Sequence, residues 1–256
     1  MNFSTKATYI LCALFLLNSS YAQDDELYEN DTIEENTEEI SNAELQELIQ
    51  QFTIIDSLSK LMNPDSTGTK TISDGKVTIT IPQGFYFLDA KDSKILLEEM
   101  WGNPPSDDTE AMLVTKDGYF GDSVIAITMQ YTNDGHIEDK DAEDINYDEL
   151  LEEMQTSAEA NNPQRIEMGY NPISIIGWAS TPFYDQVSKK LHWAKEAKFG
   201  DAEENTLNYD LRILGREGSM DLTFIAGINQ LDDVKNSINT IMGGSYFYKR
   251  KYLLGL

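Results

Sequence analysis

The stretch TLNYDLRILGREGSMDLTFIAGI, from Thr206 to Ile228, decides the fold class of this chain. Apolar and polar residues alternate through both of its halves, which is typical of strands that pack one face against a core. Arg216 and Glu217 lie between two glycines at its centre, so we expect the halves to pair as an antiparallel hairpin. The segment NQLDDVKNSINTIM, which begins at Asn229, then predicts a closing helix, because its apolar residues recur at helical spacing.

The same patterns extend upstream of this hairpin. Strands are predicted for KTISDGKVTITIP, AMLVTK, SVIAITMQYT, ISIIGWAS and KLHWAKEAKF, and the first of these segments turns at Asp74-Gly75. Helices are predicted for AKDSKILLEEMW and from Asn146, which forms an N-terminal capping box with Glu149. Because helices lie between groups of antiparallel strands, the sequence predicts an α+β fold, with helices packed on the faces of an antiparallel sheet.

The N-terminus has the features of a secretory signal peptide, over residues 1–22. Lys6 precedes an apolar run, Tyr9–Leu17, and the small residues Ser20 and Ala22 mark a cleavage site. The run is too short to remain as a membrane helix, and Cys12 lies inside it, which argues against a lipoprotein signal. We therefore expect cleavage after Ala22 and export to the periplasm or the cell envelope.

The rest of the chain divides by composition. Residues 23–40 are acidic and lack apolar periodicity, which predicts a disordered spacer. Residues 41–63 predict an amphipathic helix that either docks on the domain or pairs with another chain as a coiled coil. Its apolar face consists of Leu45, Leu48, Ile49, Phe52, Ile55 and Met62. Residues 64–245 are expected to form one α+β domain, and residues 246–256 a C-terminal tail.

The net charge of −26 restricts the partners of the protein. A field of this sign repels phosphate backbones, so we expect no nucleic-acid partner, whereas cationic partners are compatible with it. Cys12 is the only cysteine and would leave with the signal peptide, which excludes cysteine nucleophiles and thiolate metal sites. His136 and His192 are the only histidines, so a zinc site would need carboxylates to complete it. We expect neither a metal nor a cofactor.

A highly charged segment, GHIEDKDAEDINYDELLEEM, begins at Gly135 and leads into the helix at Asn146. It lacks the mid-loop glycine of an EF-hand, and Lys140 lies among the would-be ligands, which excludes that calcium loop. A solvated turn is favoured, because acidic residues are stabilised near a helix N-terminus. The alternative is an irregular cation site formed by Glu138, Asp139, Asp141 and Asp144.

Two aromatic segments are further candidates for a binding surface. WGNPP places Trp101 beside Asn103 in a rigid turn. GWASTPFYD places Trp178 and Tyr184 on either side of a proline that is expected to form a turn, with Asp185 at the end. Aromatic side chains on turns either line a ligand groove or close a core. If these segments and the acidic segment converge on one concave site, a binding or catalytic role is favoured.

Sequence motifs for catalysis are missing. The chain has no nucleophile elbow, phosphate loop, zinc-protease helix or dinucleotide fingerprint. His192, beside Trp193, is interpreted as a packed histidine of an edge strand. An enzyme would therefore depend on carboxylates, with Asp139, Asp141 and Asp185 as the candidates.

Five phrases in this order resemble one family: WGNPP, GHIEDKDAEDINYDELLEEM, GYNPISIIGWASTPFYD, KLHWAKE and LNYDLRILGREG. From about Gly75 to Ile241 the chain resembles an uncharacterised family of bacterial membrane-anchored proteins, domain of unknown function 2167. The resemblance implies export and a role at the cell envelope, and it supplies no catalytic residues. Family members share a Gly-x-x-x-Asp-x-Asp-Ala run that is either a functional site or a common turn. In this chain the run is Gly135, Asp139, Asp141 and Ala142.

The C-terminus departs from this resemblance. Family members continue into a transmembrane helix, which implies membrane association, but only five residues follow Lys251 here, too few to span a bilayer. Either the protein works free in the periplasm, or the sequence is cut short. The order of sheet and helices also resembles the PsbP-like α/β sandwich, an analogy of fold that implies no function.

The sequence therefore favours an exported cell-envelope protein that binds or assembles with an unknown protein or small ligand. One alternative is a periplasmic hydrolase that uses carboxylates. Another is a structural partner of a membrane complex that docks through the helix of residues 41–63. The candidate ligand or partner surface consists of Trp101, Asn103, Asp139, Asp141, Trp178, Tyr184 and Asp185.

Overall fold

A seven-stranded antiparallel sheet forms the centre of the molecule. The computed structural model describes residues 41–121, 123–133, 135, 146–186, 188, 190–214, 218–243 and 246–248. The strands of the sheet are β3 (Phe85–Asp89), β4 (Ala111–Thr115), β5 (Ala126–Thr132), β6 (Ile173–Asp185), β7 (Lys190–Phe199), β8 (Thr206–Leu214) and β9 (Ser219–Gly227). Their order is β3-β4-β5-β9-β8-β7-β6, and every neighbouring pair is antiparallel. The predicted hairpin is β8–β9.

Within the described residues, four α-helices and a second sheet complete the fold. The helices are α1 (Asn42–Ser59), α2 (Ala90–Lys94), α3 (Tyr147–Glu167) and α4 (Leu231–Gly243), and α2 continues as a π-helix over Ile95–Met100. The small sheet contains β1 (Thr69–Ile72), β2 (Val77–Thr80) and β10 (Tyr246–Tyr248), in the order β1-β2-β10. Together these elements confirm the α+β prediction. No helix in the described part of the chain is long and apolar enough to cross a membrane.

One face of the seven-stranded sheet is buried beneath α4 and the small sheet. The alternation of the hairpin explains this core, because Leu207, Tyr209 and Leu211 of β8 and Met220, Leu222, Phe224 and Ala226 of β9 all belong to it. Val234 and Ile238 from α4 and Ile79 from β2 pack against them. Burying one such aliphatic side chain contributes about 1.5–3 kcal/mol, so this layer is a main source of stability.

A second apolar cluster lies at the end of the sheet that contains β3, β4 and β5. Leu88, Met112 and Val114 contribute strand side chains, and Leu96 from the π-helix covers them. Met62, which follows α1, is buried in the same cluster. This cluster therefore fixes the N-terminal helix to the domain.

Helix α3 protects the outer edge of the sheet. It begins as predicted, with the Asn146 side chain accepting hydrogen bonds from the backbone N–H groups of Asp148 and Glu149. The Asn162 side chain both donates to the carbonyl and accepts from the N–H of Ile173, at the start of β6. An uncovered edge strand is a template for pairing with other chains, and these bonds close part of that edge.

The C-terminal boundary of the domain lies beyond the predicted one. Residues 246–256 are predicted to be a tail, but Tyr246–Tyr248 form β10 and pair antiparallel with β2. Alternation over three residues is too short a pattern to predict a strand. The predicted signal peptide and the acidic spacer lie outside the described residues.

Candidate functional site

Trp101 and Asn103 lie at the C-terminal end of the π-helix. The Trp101 indole N–H donates to the carbonyl of Tyr119 at 3.0 Å, and the ring is half-buried beside the second apolar cluster. Asn103 directs both its backbone N–H and its side-chain amide to the carbonyl of Leu97, each at 2.9 Å. The two Asn103 bonds satisfy the Leu97 carbonyl at the end of the π-helix, where carbonyl groups lack helical partners.

Trp178 and Tyr184 lie on strand β6, so the predicted turn over GWASTPFYD is wrong. The strand runs through this segment as far as Asp185, with register shifts along its pairing with β7. A proline without an N–H donor is tolerated on an edge strand or at a bulge, which explains why Pro182 does not break β6. The Trp178 indole donates to the carbonyl of Tyr147 at 3.3 Å and so attaches the first turn of α3 to β6.

Asp185 closes the turn between β6 and β7. Its carboxylate accepts from the Ser188 hydroxyl at 2.5 Å and from the Ser188 backbone N–H at 3.3 Å. Asp185 was predicted as a candidate catalytic carboxylate. In the structure its carboxylate stabilises a turn.

The structure does not bring the two aromatic segments together. Trp101 packs on the β3–β5 end of the sheet, whereas Trp178 belongs to the opposite edge strand, β6. Four strand spacings separate β5 from β6, which amounts to roughly 19 Å. The other two predicted site residues, Asp139 and Asp141, lie outside the described residues. Trp101 and Trp178 therefore do not line one concave site.

His192 is packed, but its strand is not an edge strand. Strand β7 lies between β6 and β8, so the edge placement is wrong, because sequence alternation does not reveal strand order. The His192 ring stacks on Phe183 at 4.7 Å, and its Nδ1 lies 3.1 Å from the Tyr209 hydroxyl. Burial, with the nearby charge of Lys190, lowers the pKa of His192, while Asp185 opposes the shift. Burial also raises the pKa of Tyr209 to about 12.

The opposite face of β7, β8 and β9 carries a polar network that was not predicted. Lys195 Nζ lies 3.0 Å from Asp210 Oδ2, and the Thr223 hydroxyl donates to Asp210 Oδ1 at 2.6 Å. Next to this group, Arg212 binds Asp221 through two hydrogen bonds of 2.6 and 2.9 Å. The alternation of LNYDLRIL contained the signal, since it places these polar residues opposite the apolar ones. Each acid is paired with a base on a neighbouring strand, so the network links β7, β8 and β9.

Helix α1 presents two apolar faces, where the sequence predicted one. Ile55 and Leu58 pack against the second apolar cluster. By contrast, Leu45, Ile49 and Phe52 are 45%, 50% and 40% exposed. At 3.6 residues per turn, this exposed stripe lies roughly 100° around the helix from the packed row. The predicted docking on the domain therefore holds only for part of the apolar arc, because the arc is wider than the surface that covers it.

Metal ligands are not grouped in the described part of the chain. We find there no group of three or more histidine, cysteine, aspartate or glutamate side chains that could hold a metal ion.

The fold and these surfaces define an α+β domain built on a seven-stranded antiparallel sheet, with an attached N-terminal helix. The chain belongs to the family described as protein of unknown function DUF2167, whose model matches residues 65–252. This confirms the resemblance seen in the sequence. A comparison with curated proteins gave no match.

Solved structures that are similar to the chain include two at low sequence identity. The solution structure of cyanobacterial PsbP (CyanoP) from Synechocystis sp. PCC 6803 has a TM-score of 0.41 at 10% identity, covering 72% of this chain and 94% of that protein. The Saccharomyces cerevisiae Ran-binding protein Mog1p has a TM-score of 0.34 at 13% identity, with coverage of 72% and 94%. At these values neither protein assigns a function to this chain.

Proposed function

We propose that this protein is an exported cell-envelope protein that acts as a binding and assembly module. It docks a partner protein through the exposed stripe of α1, which we define as Leu45, Ile49 and Phe52. The observation that supports this proposal is the exposure of three large apolar side chains on one line of a helix. Contiguous exposed apolar surface is typical of interaction sites rather than of inert surface.

The domain holds α1 in place while the stripe stays exposed. Ile55 and Leu58 pack on the second cluster, and Met62 is buried in it. Directly after Met62, the backbone N–H of Asn63 donates to the buried carboxylate of Asp92 at 2.6 Å. A helix fixed in this way loses little conformational entropy when a partner binds it.

Export is supported by the N-terminal sequence. The apolar run Tyr9–Leu17 followed by Ser20 and Ala22 fits a cleaved signal, and cleavage there leaves the acidic residues 23–40 ahead of α1. A chain of net charge −26 favours cationic partners, and we propose no nucleic acid, metal or cofactor for it.

The proposal is tested by the size of the native assembly in the envelope fraction. Ile49→Asp places a charge in the stripe, and Gln50→Asp places the same charge on an exposed position outside it. We expect the wild type and Gln50→Asp to elute in a complex larger than the free chain, and Ile49→Asp to elute as the free chain. Equal thermal midpoints would show that both variants are folded.

Two results would overturn the proposal. One is a wild-type protein that elutes only as the free chain in every fraction. The other is a protein that is found with its N-terminal residues uncleaved in the cytoplasm.

A further inference from the structure

We infer that the partner receives α1 as a helix in an apolar groove whose rim is rich in lysine and arginine. This inference rests on the proposed function and names the chemistry of the surface that the stripe meets. Two observations support it: the spacing of the stripe and the charge of the helix.

The spacing of the stripe is that of a helix inserted into a groove. Leu45, Ile49 and Phe52 occupy positions i, i+4 and i+7 of α1. Helices that bind grooves on other proteins use anchors at this spacing. The anchors cover about 10 Å of helix length at 1.5 Å per residue, which matches a short groove rather than a long coiled coil. The stripe ends at Phe52, and one turn further on Asp56 pairs with Lys60 at 2.5 Å.

The charge of the helix is complementary to a basic rim. The segment Asn42–Ser59 contains the acids Glu44, Glu47 and Asp56 and no lysine or arginine, and of these acids Asp56 pairs with Lys60 just beyond the helix. Nine further acids and no bases lie between Asp24 and Glu39, directly before the helix. Electrostatic complementarity speeds association and fixes orientation, and it weakens as salt is added.

The same negative charges disfavour two other binding partners of the stripe, a lipid surface and a second copy of this chain. A helix that lies on a lipid surface carries lysine and arginine on its polar face, where they meet anionic headgroups. The acidic flanks of α1 would instead be repelled. A second copy of the chain would bring two equal and strongly negative molecules together, which also costs electrostatic free energy. A basic groove on a different protein is the occupant that matches both the stripe and its flanks.

Photo-crosslinking in living cells tests the inference. A benzophenone amino acid is placed at position 49, in the stripe, or at position 50, which is exposed on another side of the helix. We expect a discrete protein adduct from position 49 and little from position 50. In isolated envelopes, the yield should fall several-fold at about 0.5 M sodium chloride, where the Debye length is only about 4 Å. The crosslinked peptide should come from an apolar surface flanked by lysine or arginine.

The other outcomes contradict the inference in distinguishable ways. An adduct of twice the chain's own mass identifies a second copy. Binding of the purified chain to vesicles of phosphatidylethanolamine and phosphatidylglycerol identifies a lipid surface. A protein adduct whose yield does not change with salt refutes the basic rim. If position 49 gives no adduct but Ile49→Asp still abolishes the native complex, the inference fails while the proposed docking through the stripe survives.

Discussion

His192 carries a titratable ring into the interior of the seven-stranded sheet. The ring is stacked on Phe183 and hydrogen-bonded to Tyr209, and burial is the main cause of its lowered pKa. Protonation would place a charge beside Lys190, whose own pKa burial also lowers. The neutral ring therefore belongs to the folded state, and folding depends on pH at this residue.

We predict that His192 makes the protein less stable in mild acid. His192 takes up its proton near pH 6.5 in the unfolded chain and at a lower pH in the folded chain. The contribution of the neutral ring to the free energy of unfolding is therefore complete above about pH 6.5. It is lost as the pH falls from there through the folded-state pKa. Urea unfolding at several pH values should show a steeper loss between about pH 7 and pH 5 in the wild type than in His192→Gln. Parallel curves for the two proteins would refute the prediction.

Gly218 lies where no side chain fits. A Cβ atom at this position would be 2.0 Å from the carbonyl oxygen of Thr132, on the neighbouring strand β5. Overpacking against backbone forces the strands apart, so Gly218→Ala should lower the free energy of unfolding by about 2–3 kcal/mol. Gly177→Ala is the matched control, because a Cβ there meets nothing within 4 Å, and its effect should stay within about 0.5 kcal/mol. Equal denaturant midpoints for the two variants would contradict this account.

At the scale of elements, the sequence predicts a helix start or a strand correctly where the pattern that determines it lies within that element. The start of α3 depends on the Asn146 side chain and its two nearest backbone donors, and the prediction was correct. Strand β7 was predicted with the bounds Lys190–Phe199 that the structure shows, because its pattern lies within the strand. The β8–β9 hairpin was predictable for the same reason.

Structural features that depend on distant elements could not be predicted from the sequence. Pro182 looked like a turn residue, but its position on the edge strand makes a missing N–H harmless. The distance between the two aromatic segments depends on the strand order β5-β9-β8-β7-β6, which the sequence does not reveal. Helical periodicity identified the apolar arc of α1 but not which part of it the domain covers.

The N-cap of α3 provides a prediction at this scale. Asn146→Ala removes the acceptor for the N–H groups of Asp148 and Glu149 and should lower the free energy of unfolding by about 1 kcal/mol. Asn146→Asp keeps an acceptor at the positive end of the helix dipole and should be close to neutral. Denaturant midpoints measure both variants, and an unchanged midpoint for the alanine variant would mean that the cap contributes nothing.

At the scale of the whole molecule, the sheet divides the surface into parts with different roles. One face supports the main core, and the other carries the second cluster, the polar network and the attached helix α1. The polar network uses Lys195 and Arg212 to neutralise Asp210 and Asp221. The bases in the network are thus engaged with acids of the same sheet, and the net charge of the chain remains strongly negative.

The N-terminal sequence predicts processing of the chain. We predict that the exported protein begins at Gln23, because Ser20 and Ala22 satisfy the small-residue rule for cleavage. Intact mass measurement of protein recovered from the envelope tests this. A mature chain that begins at Met1, or at an acylated Cys12, would contradict it.

Hydrogen–deuterium exchange of α1 tests the central claim most directly. The full chain is measured alone and within its native assembly, and the peptide over residues 45–53 is compared with peptides from β8 and β9. If the stripe docks a partner, amides of the 45–53 peptide exchange several-fold more slowly in the assembly, while the strand peptides are unchanged. If the 45–53 peptide exchanges equally fast in both samples, the stripe is not the docking surface.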